Sequence, residues 1–298
     1  MKYYVLNLLV AIFLGILIEG CSDLQTNIPP AEQKVSVHED GFVSKTSANF
    51  HGNVIKQNNW DMKQCQQCHA SNYSGGLTGT SCITCHTNPG GPEACNTCHG
   101  DFSNISRIAP PRATNGDTAT TSIRVGAHTN HLYTTTLGSQ VACESCHKVP
   151  QSVYAQGHLD ATPETIVSFA GVATANIASN AVFNSSDATC SNTYCHGNFA
   201  YKKSSAVQQN QFAFTDSVML GNNATVTWTK VDGSQATCGS CHDLPPKGHI
   251  GPIPLTECYT CHGNVVDANG NIINPALHIN GTADVRGSVV SGKYNFIH

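Results

Sequence analysis

The sequence has few charged residues, and this scarcity argues against several classes of protein. Asp, Glu, Lys and Arg make up only 11% of the 298 residues, and the formal net charge is −4 at pH 7. Because the chain has no basic patch with interleaved aromatic residues, nothing in it supports nucleic-acid binding. The 3.6-residue spacing of apolar positions that marks amphipathic helices is also weak. We therefore expect little regular secondary structure.

Long hydrophobic runs are absent apart from one near the N terminus, from Val5 to Ile18, which only Asn7 interrupts. The single positive charge of Lys2 precedes this run, as in a secretory signal peptide. The run is too short and too poorly flanked for a good membrane span. The pattern therefore predicts a signal peptide at residues 1–20 and export from the cytoplasm.

A single cysteine, Cys21, directly follows the predicted signal peptide. The small residue before it resembles a bacterial lipoprotein signal, in which the cysteine is lipidated and becomes the new N terminus. Glu19 departs from the residue usual at its position, so a plain signal peptide followed by an unpaired thiol is the alternative. Because Ser22 rather than Asp follows the cysteine, we expect an outer-membrane lipoprotein on the periplasmic or cell-surface side, with the extracellular face favoured.

The other 14 cysteines form seven pairs, and a histidine directly follows the second cysteine of each pair. One pair, Cys190/Cys195-His196, has the stretched spacing Cys-x4-Cys-His. The six pairs with Cys-x-x-Cys-His spacing are Cys65/Cys68-His69, Cys82/Cys85-His86, Cys95/Cys98-His99, Cys143/Cys146-His147, Cys238/Cys241-His242 and Cys258/Cys261-His262. Cys-x-x-Cys-His is the attachment signature of c-type haem, in which two thiols form thioethers and the histidine binds the iron. The sequence therefore predicts seven covalently attached haem c groups.

Other uses of paired cysteines explain this pattern less well. Structural zinc sites use Cys-x-x-Cys pairs in fours, and disulfide scaffolds occur in exported, cysteine-rich chains. Neither accounts for a histidine after every second cysteine. A thioredoxin-like redox pair would occur once, within a βαβ pattern. In the stretched motif two extra residues separate the cysteines, whereas Cys195 and His196 keep their usual spacing. Cys190 is therefore counted as a haem cysteine.

Histidine is also the predicted source of the second axial ligands. Eight of the 15 histidines lie outside the motifs, whereas Met62 and Met219 are the only methionines beyond Met1. The predicted distal ligands are His38, His51, His128, His131, His158, His249 and His278. The terminal His298 is left as the spare, and His38 and His298 are alternatives for the last place. Bis-histidine ligation closes both axial positions to substrate and gives lower reduction potentials than His/Met ligation.

The motifs divide the exported chain into three predicted regions. Residues 21–50 are polar and are expected to form a flexible, lipidated tether. Residues 51–104 hold a triple-haem segment, and residues 105–298 hold a four-haem module with the stretched motif. The predicted fold is mostly irregular and packed around haems, with short helical turns at the motifs and a few short β-strands.

Position along the chain gives a first assignment of the distal ligands. His38 and His51 are expected to serve the triple-haem segment, and His158, His249 and His278 the four-haem module. His128 and His131 lie three residues apart, so they can face one side of a turn and reach two different haems. One of them crossing to the triple-haem segment is an alternative that the sequence leaves open.

As a series, these motifs resemble a known family. The resemblance extends over residues 105–286 and, more loosely, over 51–101. It is carried by Gly126 to Leu132, Cys143 to Pro150, Gly157 to Asp160, Cys190 to Gly197, Trp228, Cys238 to His249 and Cys258 to Gly263. The sequence resembles the multihaem c-type cytochromes with paired CxxxxCH and CxxCH motifs, abundant in metal-reducing bacteria such as Geobacter. This resemblance implies an exported, often outer-surface, electron carrier that commonly serves extracellular acceptors.

We therefore expect a lipid-anchored heptahaem cytochrome that relays electrons through closely spaced bis-histidine haems and has no catalytic residues of its own. The expected partners are other cytochromes or an outer-membrane conduit, extracellular electron acceptors and the membrane, but not nucleic acid. One alternative is a multihaem reductase of the nitrite or hydroxylamine type, which needs one open haem. A second is the subunit of a cytochrome filament, which is a homopolymer.

Overall fold

The computed structural model describes residues 37–108, 112–159 and 167–285. The predicted signal peptide, Cys21 and His298 lie outside the described residues. Within the described ranges most of the chain is turn or irregular coil, with short helices and short antiparallel strands, which confirms the predicted fold class. No helix in these ranges is both long enough and apolar enough to cross a membrane. The described residues divide into two compact units, the first ending at Gln57 and the second beginning at Asn58.

The described part of the first unit is a series of turns followed by helix α1 (His51–Gln57). Backbone hydrogen bonds between residues three apart link the turns from Gly41 to Phe50. The amide of His51 then donates to the carbonyl of Phe42, at 2.7 Å. Residues 37–50 of the predicted tether therefore have a defined local structure, and the rest of that tether lies outside the described residues.

The second unit begins with short helical turns that alternate with tight loops. Helices α2 (Lys63–His69) and α3 (Cys95–Cys98) are separated by 3-10 turns at Gly76–Thr78, Cys82–Thr84 and Gly91–Glu93. The chain reverses at Gly76, which has φ +48°, and a Cβ there would lie 2.5 Å from the carbonyl oxygen of Cys68. Glycine fits this close approach because it has no side chain. Three motifs are thereby gathered within a short stretch of chain.

Beyond residue 112 the helical turns are more widely spaced and small sheets appear. The helices are α4 (His128–Leu132) and α5 (Tyr259–His262). The 3-10 turns are Cys143–Ser145, Gly171–Thr174, Tyr194–His196, Lys203–Ser205, Gln208–Ala213, Leu255–Glu257 and Pro275–Leu277.

Five short strands form two antiparallel sheets. The strands are β1 (Val182–Asn184), β2 (Thr189–Ser191), β3 (Ala200–Lys202), β4 (Val218–Leu220) and β5 (Val226–Thr227). One sheet has the order β1-β2-β5, with Cys190 at its centre opposite Phe183 on one side and Val226 on the other. The second sheet pairs β3 with β4, so that Tyr201 faces Met219. Cys190 is thus fixed by a sheet rather than by a helical turn.

The protein core is small for a chain of this length. The buried hydrophobic residues of the described ranges are Met62, Tyr73, Ala94, Ala113, Val125, Ala127, Ala173, Tyr194, Phe214, Met219, Val226 and Val265. Four of these twelve are alanines, so they fill little volume. A domain of this size normally buries about 75% of the surface of its unfolded chain. Side chains alone therefore provide a sparse core, and large apolar groups bound between the segments would complete it.

Candidate haem-binding sites

Four of the Cys-x-x-Cys-His motifs share one closed turn of backbone. In the second, third, fourth and seventh motifs the histidine amide donates to the carbonyl of the first cysteine. The bonds are His86 to Cys82 at 3.0 Å, His99 to Cys95 at 3.0 Å, His147 to Cys143 at 2.8 Å and His262 to Cys258 at 2.9 Å. The first motif forms the C-terminal end of helix α2. Such a turn places two thiols three residues apart on one side, with the imidazole next to them.

The second cysteine takes part in the same turn in three of these motifs. Its amide also donates to the carbonyl of the first cysteine. The bonds are Cys85 to Cys82 at 3.2 Å, Cys146 to Cys143 at 3.1 Å and Cys261 to Cys258 at 3.3 Å. Both thiols of each pair are therefore held by one tight turn, as attachment to a single haem requires.

The sixth motif, Cys238 to His242, lacks the predicted helical turn. Its second residue is Gly239, which has φ +88°. That left-handed conformation interrupts a right-handed helical turn. The amide of Ser240 instead donates to the carbonyl of Thr237, at 3.0 Å. The glycine in this position is therefore the reason why this motif departs from the other five regular motifs.

The stretched motif joins a strand to a helical turn. Cys190 lies in β2, and Cys195 and His196 lie in the 3-10 turn Tyr194–His196. Between them Asn192 adopts φ +60°, and its carbonyl accepts a 2.7 Å hydrogen bond from the side chain of Asn198. The two additional residues of the motif are therefore used to turn a corner out of the sheet.

The stretched motif and the sixth motif are directly connected by a short segment at residues 221–224. The amide of Asn222 donates to the carbonyl of Cys241 at 2.9 Å, and the amide of Ala224 donates to that of His196 at 2.9 Å. Gly197 has φ +90°, and a Cβ there would lie 1.9 Å from the carbonyl oxygen of Cys241. Only glycine fits at this contact. Two motifs that are far apart in sequence are therefore adjacent in space.

Five histidines from outside the motifs face five motif histidines. The ring centroids are separated by 6.1 Å for His99–His158, 6.1 Å for His128–His147, 6.1 Å for His131–His196, 6.4 Å for His242–His278 and 6.5 Å for His249–His262. A metal bound by imidazole lies about 2.0 Å from the nitrogen, and that nitrogen lies about 1.2 Å from the ring centroid, so opposed imidazoles on one metal have centroids about 6.4 Å apart. The five separations match the space that one iron with two axial histidines requires.

The hydrogen bonds of the histidines place the ring proton on Nδ1. In nine histidines the Nδ1–H group donates to a backbone carbonyl. The pairs are His51–Phe42, His69–Thr80, His128–Val125, His131–Ala127, His158–Val153, His242–Asp243, His249–Ile250, His262–Asp284 and His278–Leu137. This bond fixes the tautomer in which Nδ1 carries the proton and Nε2 is the unprotonated nitrogen, as in many metal-bound histidines.

Burial favours the neutral imidazole at several of these positions. It lowers the pKa of His196 to about 4, with a smaller contribution from His131. Burial is also the largest cause of the lowered pKa of His99, His128, His262 and His278. A metal binds neutral imidazole, so these environments favour the ligating form.

The position of His158 corrects the expectation that it serves the four-haem module. Its ring faces His99, the histidine of the third motif, which belongs to the triple-haem segment. The hydroxyl of Tyr154 lies 3.2 Å from that of Tyr73, and the ammonium of Lys63 lies 4.4 Å from the centre of the Tyr154 ring. These contacts hold the loop before His158 against the triple-haem segment, which spacing along the chain could not reveal.

The other predicted distal ligands of the second unit lie within the four-haem module. His128 and His131, both on α4, face the histidines of two different motifs, the fourth and the fifth. His249 and His278 are exchanged relative to chain order, since His249 faces the seventh motif and His278 the sixth.

His38 and His51 lie in the first unit and share one aromatic neighbour. The His38 ring stacks on Phe42 with centroids 4.0 Å apart, and the His51 ring lies 5.8 Å from the same phenyl ring. The assignment of these two histidines as distal ligands stays a prediction.

Sequence reasoning missed the groups that orient the histidines. Most of them are backbone carbonyls, and the carbonyl of Leu137, which binds His278, is 141 residues away in sequence. A carbonyl acceptor has no residue type of its own, so no pattern could have identified it. Trp228 also contacts two distal candidates, and only its place among the family motifs marked it.

The cysteines of the seven motifs all carry free thiols, so none of them is used in a disulfide. They are Cys65, Cys68, Cys82, Cys85, Cys95, Cys98, Cys143, Cys146, Cys190, Cys195, Cys238, Cys241, Cys258 and Cys261. The second thiols differ in access, since Cys85 is exposed whereas Cys261 is half-buried. This result argues against the disulfide scaffold, and attachment of haem at each of these cysteines stays a prediction.

The described ranges contain no group of three or more His, Cys, Asp and Glu side chains arranged to hold a metal ion by themselves. In a haem site the porphyrin provides four of the iron ligands, so the chain has to supply only the two axial ones. Each pair of opposed histidines offers two ligands of this axial kind.

Comparison with known proteins gives one match, at the stretched motif. Residues 189–242 match the model of the family described as the Geobacter CxxxxCH...CXXCH motif. No curated protein and no solved structure matches the chain. The matched residues run from β2 with Cys190, through the segment that joins the two motifs, to His242. The match confirms the resemblance, and this part of the chain carries the paired motif of Geobacter-type multihaem c-type cytochromes.

Proposed function

We propose that the protein is a heptahaem c-type cytochrome that transfers electrons through a continuous series of closed, bis-histidine haems. The five opposed histidine pairs, with centroids 6.1–6.5 Å apart, are the observation that carries this proposal. Haem iron supplies one-electron redox chemistry when it is bound. The chain contributes two thiols and two imidazoles per haem, a low-polarity surrounding and fixed ligand orientation.

The closeness of cysteines from consecutive motifs supports a series of haems that follows the order of the motifs along the chain. Burial raises the pKa of Cys190 to about 11, and the nearby Cys146 of the fourth motif adds to the effect. Burial raises the pKa of Cys195 to about 12, with smaller contributions from Cys146 and from Cys241 of the sixth motif. The attachment points of the fourth, fifth and sixth haems are therefore close together.

The remaining steps of the series have similar support. Burial raises the pKa of Cys65 in the first motif, and Cys82 of the second motif adds to the effect. Burial likewise raises the pKa of Cys143 in the fourth motif, and Cys95 of the third motif is a smaller contributor. These effects place the first motif near the second, and the third near the fourth. The side-chain Nδ2–H group of Asn88, two residues after the second motif, donates to Oδ1 of Asn96 in the third motif, at 3.4 Å.

The seventh haem joins this series through the histidines. Burial is the main cause of the lowered pKa of His262, and His242 of the sixth motif is a smaller one. The proposed electron path therefore runs in chain order from the first haem to the seventh.

Closed axial positions favour electron transfer over catalysis. An enzyme that reduces nitrite or hydroxylamine needs an iron with one position open to substrate, whereas two histidines occupy both positions. Carbon monoxide tests this difference because it binds only to reduced haem with an open or exchangeable position. We expect no CO binding to the reduced protein at neutral pH. Binding of one CO per chain would favour the reductase alternative instead.

His38 and His51 complete the proposal as the distal ligands of the first and second haems. The Nδ1–H group of His51 donates to the carbonyl of Phe42 at 3.0 Å, so Nε2 is the unprotonated nitrogen of this ring, as in a metal-bound histidine. We expect His51→Ala to create one CO-binding haem, and His38→Ala to create another. If His38→Ala remains inert to CO, His298 takes its place as the distal ligand.

Anchoring through Cys21 and delivery of electrons to extracellular acceptors or other cytochromes are also proposed. They are supported by the signal-like N terminus and by the family to which the paired motif belongs. Cell fractionation tests the anchor. We expect the wild-type protein in the outer-membrane fraction and Cys21→Ser in the soluble fraction. Digestion of intact cells by an added protease tests the face, since only a surface-exposed cytochrome is degraded.

A further inference from the structure

Trp228 contacts the proposed distal ligands of two neighbouring haems. Its ring centroid lies 4.8 Å from that of His128, with the planes at 89°, and 5.6 Å from that of His131, with the planes at 30°. His128 faces His147 of the fourth motif, and His131 faces His196 of the fifth. One indole therefore contacts two imidazoles, and each of them is the proposed distal ligand of a different haem.

The indole is itself held by several contacts. Its Nε1–H group donates to the carbonyl of Ile123 at 2.8 Å, and the amide of Trp228 donates to the carbonyl of Ala188 at 2.7 Å. A Cβ at Gly126 would lie 2.0 Å from the indole nitrogen, so the ring packs directly on the backbone that leads into α4. Trp228 is therefore fixed relative to the helix that carries both histidines.

Each histidine has one other restraint on its ring. The Nδ1–H group of His128 donates to Val125 at 2.7 Å, and that of His131 donates to Ala127 at 2.8 Å. A single hydrogen bond at Nδ1 restrains the imidazole at one point, and the ring can still tilt about the Cβ–Cγ bond within the range that the hydrogen bond tolerates. The indole supplies the second contact, edge to face for His128 and close to parallel for His131. Together the two contacts define the plane of each imidazole.

The planes of the two ligand pairs differ. His128 and His147 are close to parallel, at 22°, whereas His131 and His196 are close to perpendicular, at 71°. The angle between two axial imidazole planes determines the d-orbital splitting of low-spin iron, and with it the EPR signal and a part of the reduction potential. Second-sphere groups that orient a ligand tune a metal in this way.

We propose that Trp228 is a positioning residue shared by the fourth and fifth haems. It fixes the planes of both distal imidazoles and thereby sets the electronic difference between two consecutive haems of the series. This inference rests on the proposed function, because it takes His128 and His131 to be distal ligands.

The test uses the full-length holoprotein with Trp228 replaced by Leu or by Phe. We expect Trp228→Leu to retain all its haems, to change the low-spin EPR signals of two haems, one from the near-parallel and one from the near-perpendicular class, and to shift two midpoint potentials. Trp228→Phe keeps a flat ring but lacks the Nε1–H donor, so we expect a smaller change in the same two signals. Trp60→Leu, at the only other tryptophan, controls for the loss of an indole and is expected to leave both signals unchanged.

Two outcomes overturn the inference. One is a Trp228→Leu protein with full haem content and wild-type EPR signals and potentials, and the other is a change that is spread over all haems. If the Leu variant does not fold, the same readouts on Trp228→Phe decide. His128→Ala and His131→Ala separate the inference from the proposed function. If neither variant binds CO, the two histidines are not distal ligands and the proposed function fails at these haems. If each of them binds one CO, and the Trp228 variants keep wild-type EPR signals and midpoint potentials, only the role of Trp228 fails.

Discussion

The triple-haem segment and the four-haem module differ in where their candidate distal ligands lie. From residue 58 to residue 127 the only histidines are His69, His86 and His99, which are the motif histidines themselves. The short loops between these three motifs are used for tight reversals at glycines such as Gly76. The four-haem module has long connections between its motifs, and it places four distal candidates on its own haem sites and a fifth on His99.

This difference shows what dense packing of haems demands of a chain. A distal ligand must lie on the face of the haem opposite the proximal ligand. A loop of about a dozen residues that already reverses direction is too short to place a histidine there as well. Apart from His51 at its first position, the triple-haem segment has no histidine outside its motifs, so under the proposed function it needs ligands from outside itself, whereas the module has a candidate for each of its four haems. The following predictions test this dependence, from the largest expected effect to the smallest.

Removal of His158, which lies in the module but faces His99 of the triple-haem segment, should have the largest effect. In His158→Ala the iron facing His99 loses its second axial ligand, so we expect the reduced protein to change from binding no CO to binding one CO per chain. His158→Met is the matched control, since a thioether keeps the iron closed and raises its reduction potential. The measurement is a CO titration followed by absorbance. A His158→Ala protein that stays inert to CO would show that another residue serves this haem.

The contact between the fifth and sixth motifs should make Gly197 intolerant of substitution. In Gly197→Ala the new methyl group would meet the carbonyl of Cys241 at 1.9 Å, so the backbone of the module must shift. We expect a loss of about 3 kcal/mol or more in the free energy of unfolding, measured with denaturant on the holoprotein.

Gly233→Ala is the control for this substitution. Gly233 also has a positive φ, +81°, but a Cβ there meets nothing within 4 Å. It carries only the cost of the left-handed conformation, about 1–2 kcal/mol. Equal losses in the two variants would mean that the close contact with Cys241 does not matter.

The tight turn at Gly76 allows the same comparison within the triple-haem segment. A Cβ at Gly76 would lie 2.5 Å from the carbonyl of Cys68, whereas at Gly79, with φ +68°, it meets nothing within 4 Å. We expect Gly76→Ala to lower the free energy of unfolding by about 2–3 kcal/mol and Gly79→Ala by about 1 kcal/mol. The same denaturant titration measures both. If Gly76→Ala costs no more than Gly79→Ala, the segment is looser than the tight reversal implies.

The smallest effect is expected from the hydrogen bond that brings the loop of His158 to the triple-haem segment. The Tyr73 hydroxyl donates to Glu93 at 2.6 Å, so it accepts the bond from the hydroxyl of Tyr154. Tyr154→Phe should cost about 1 kcal/mol in the free energy of unfolding, and it should disturb the EPR signal of the haem at His99. Tyr201→Phe removes a comparable 2.9 Å bond to Tyr194 within the module and should leave that signal unchanged. Identical spectra for the two variants would contradict the proposed role of Tyr154.

Features that depend on local chemistry could be predicted from the sequence. The Cys-His motifs, the short turns that carry most of them and the largely irregular fold follow from residue types at fixed spacing. The helical turn expected at Cys238 to His242 was wrong because Gly239 adopts a left-handed conformation, with φ +88°. The spacing of the motif alone therefore does not decide the local structure there.

Features that depend on distant contacts could not be predicted. His158 lies between the fourth and fifth motifs in sequence, yet the contact of Tyr154 with Tyr73 carries it to the third. The exchange between His249 and His278 has the same origin, because the fold of the module brings the carbonyl of Leu137 to His278. Spacing along a chain with little regular structure holds no information about such contacts.

The central claim is that every one of the seven motifs, including the stretched one at Cys190, holds a covalently bound haem. The most direct test is the intact mass of the denatured protein, because thioether-bound haem stays on the chain when the fold is lost. The account predicts the mass of the processed chain plus seven haems, and plus six for Cys190→Ala/Cys195→Ala. A wild-type chain with six haems or fewer, or a double variant with the wild-type haem count, would contradict it.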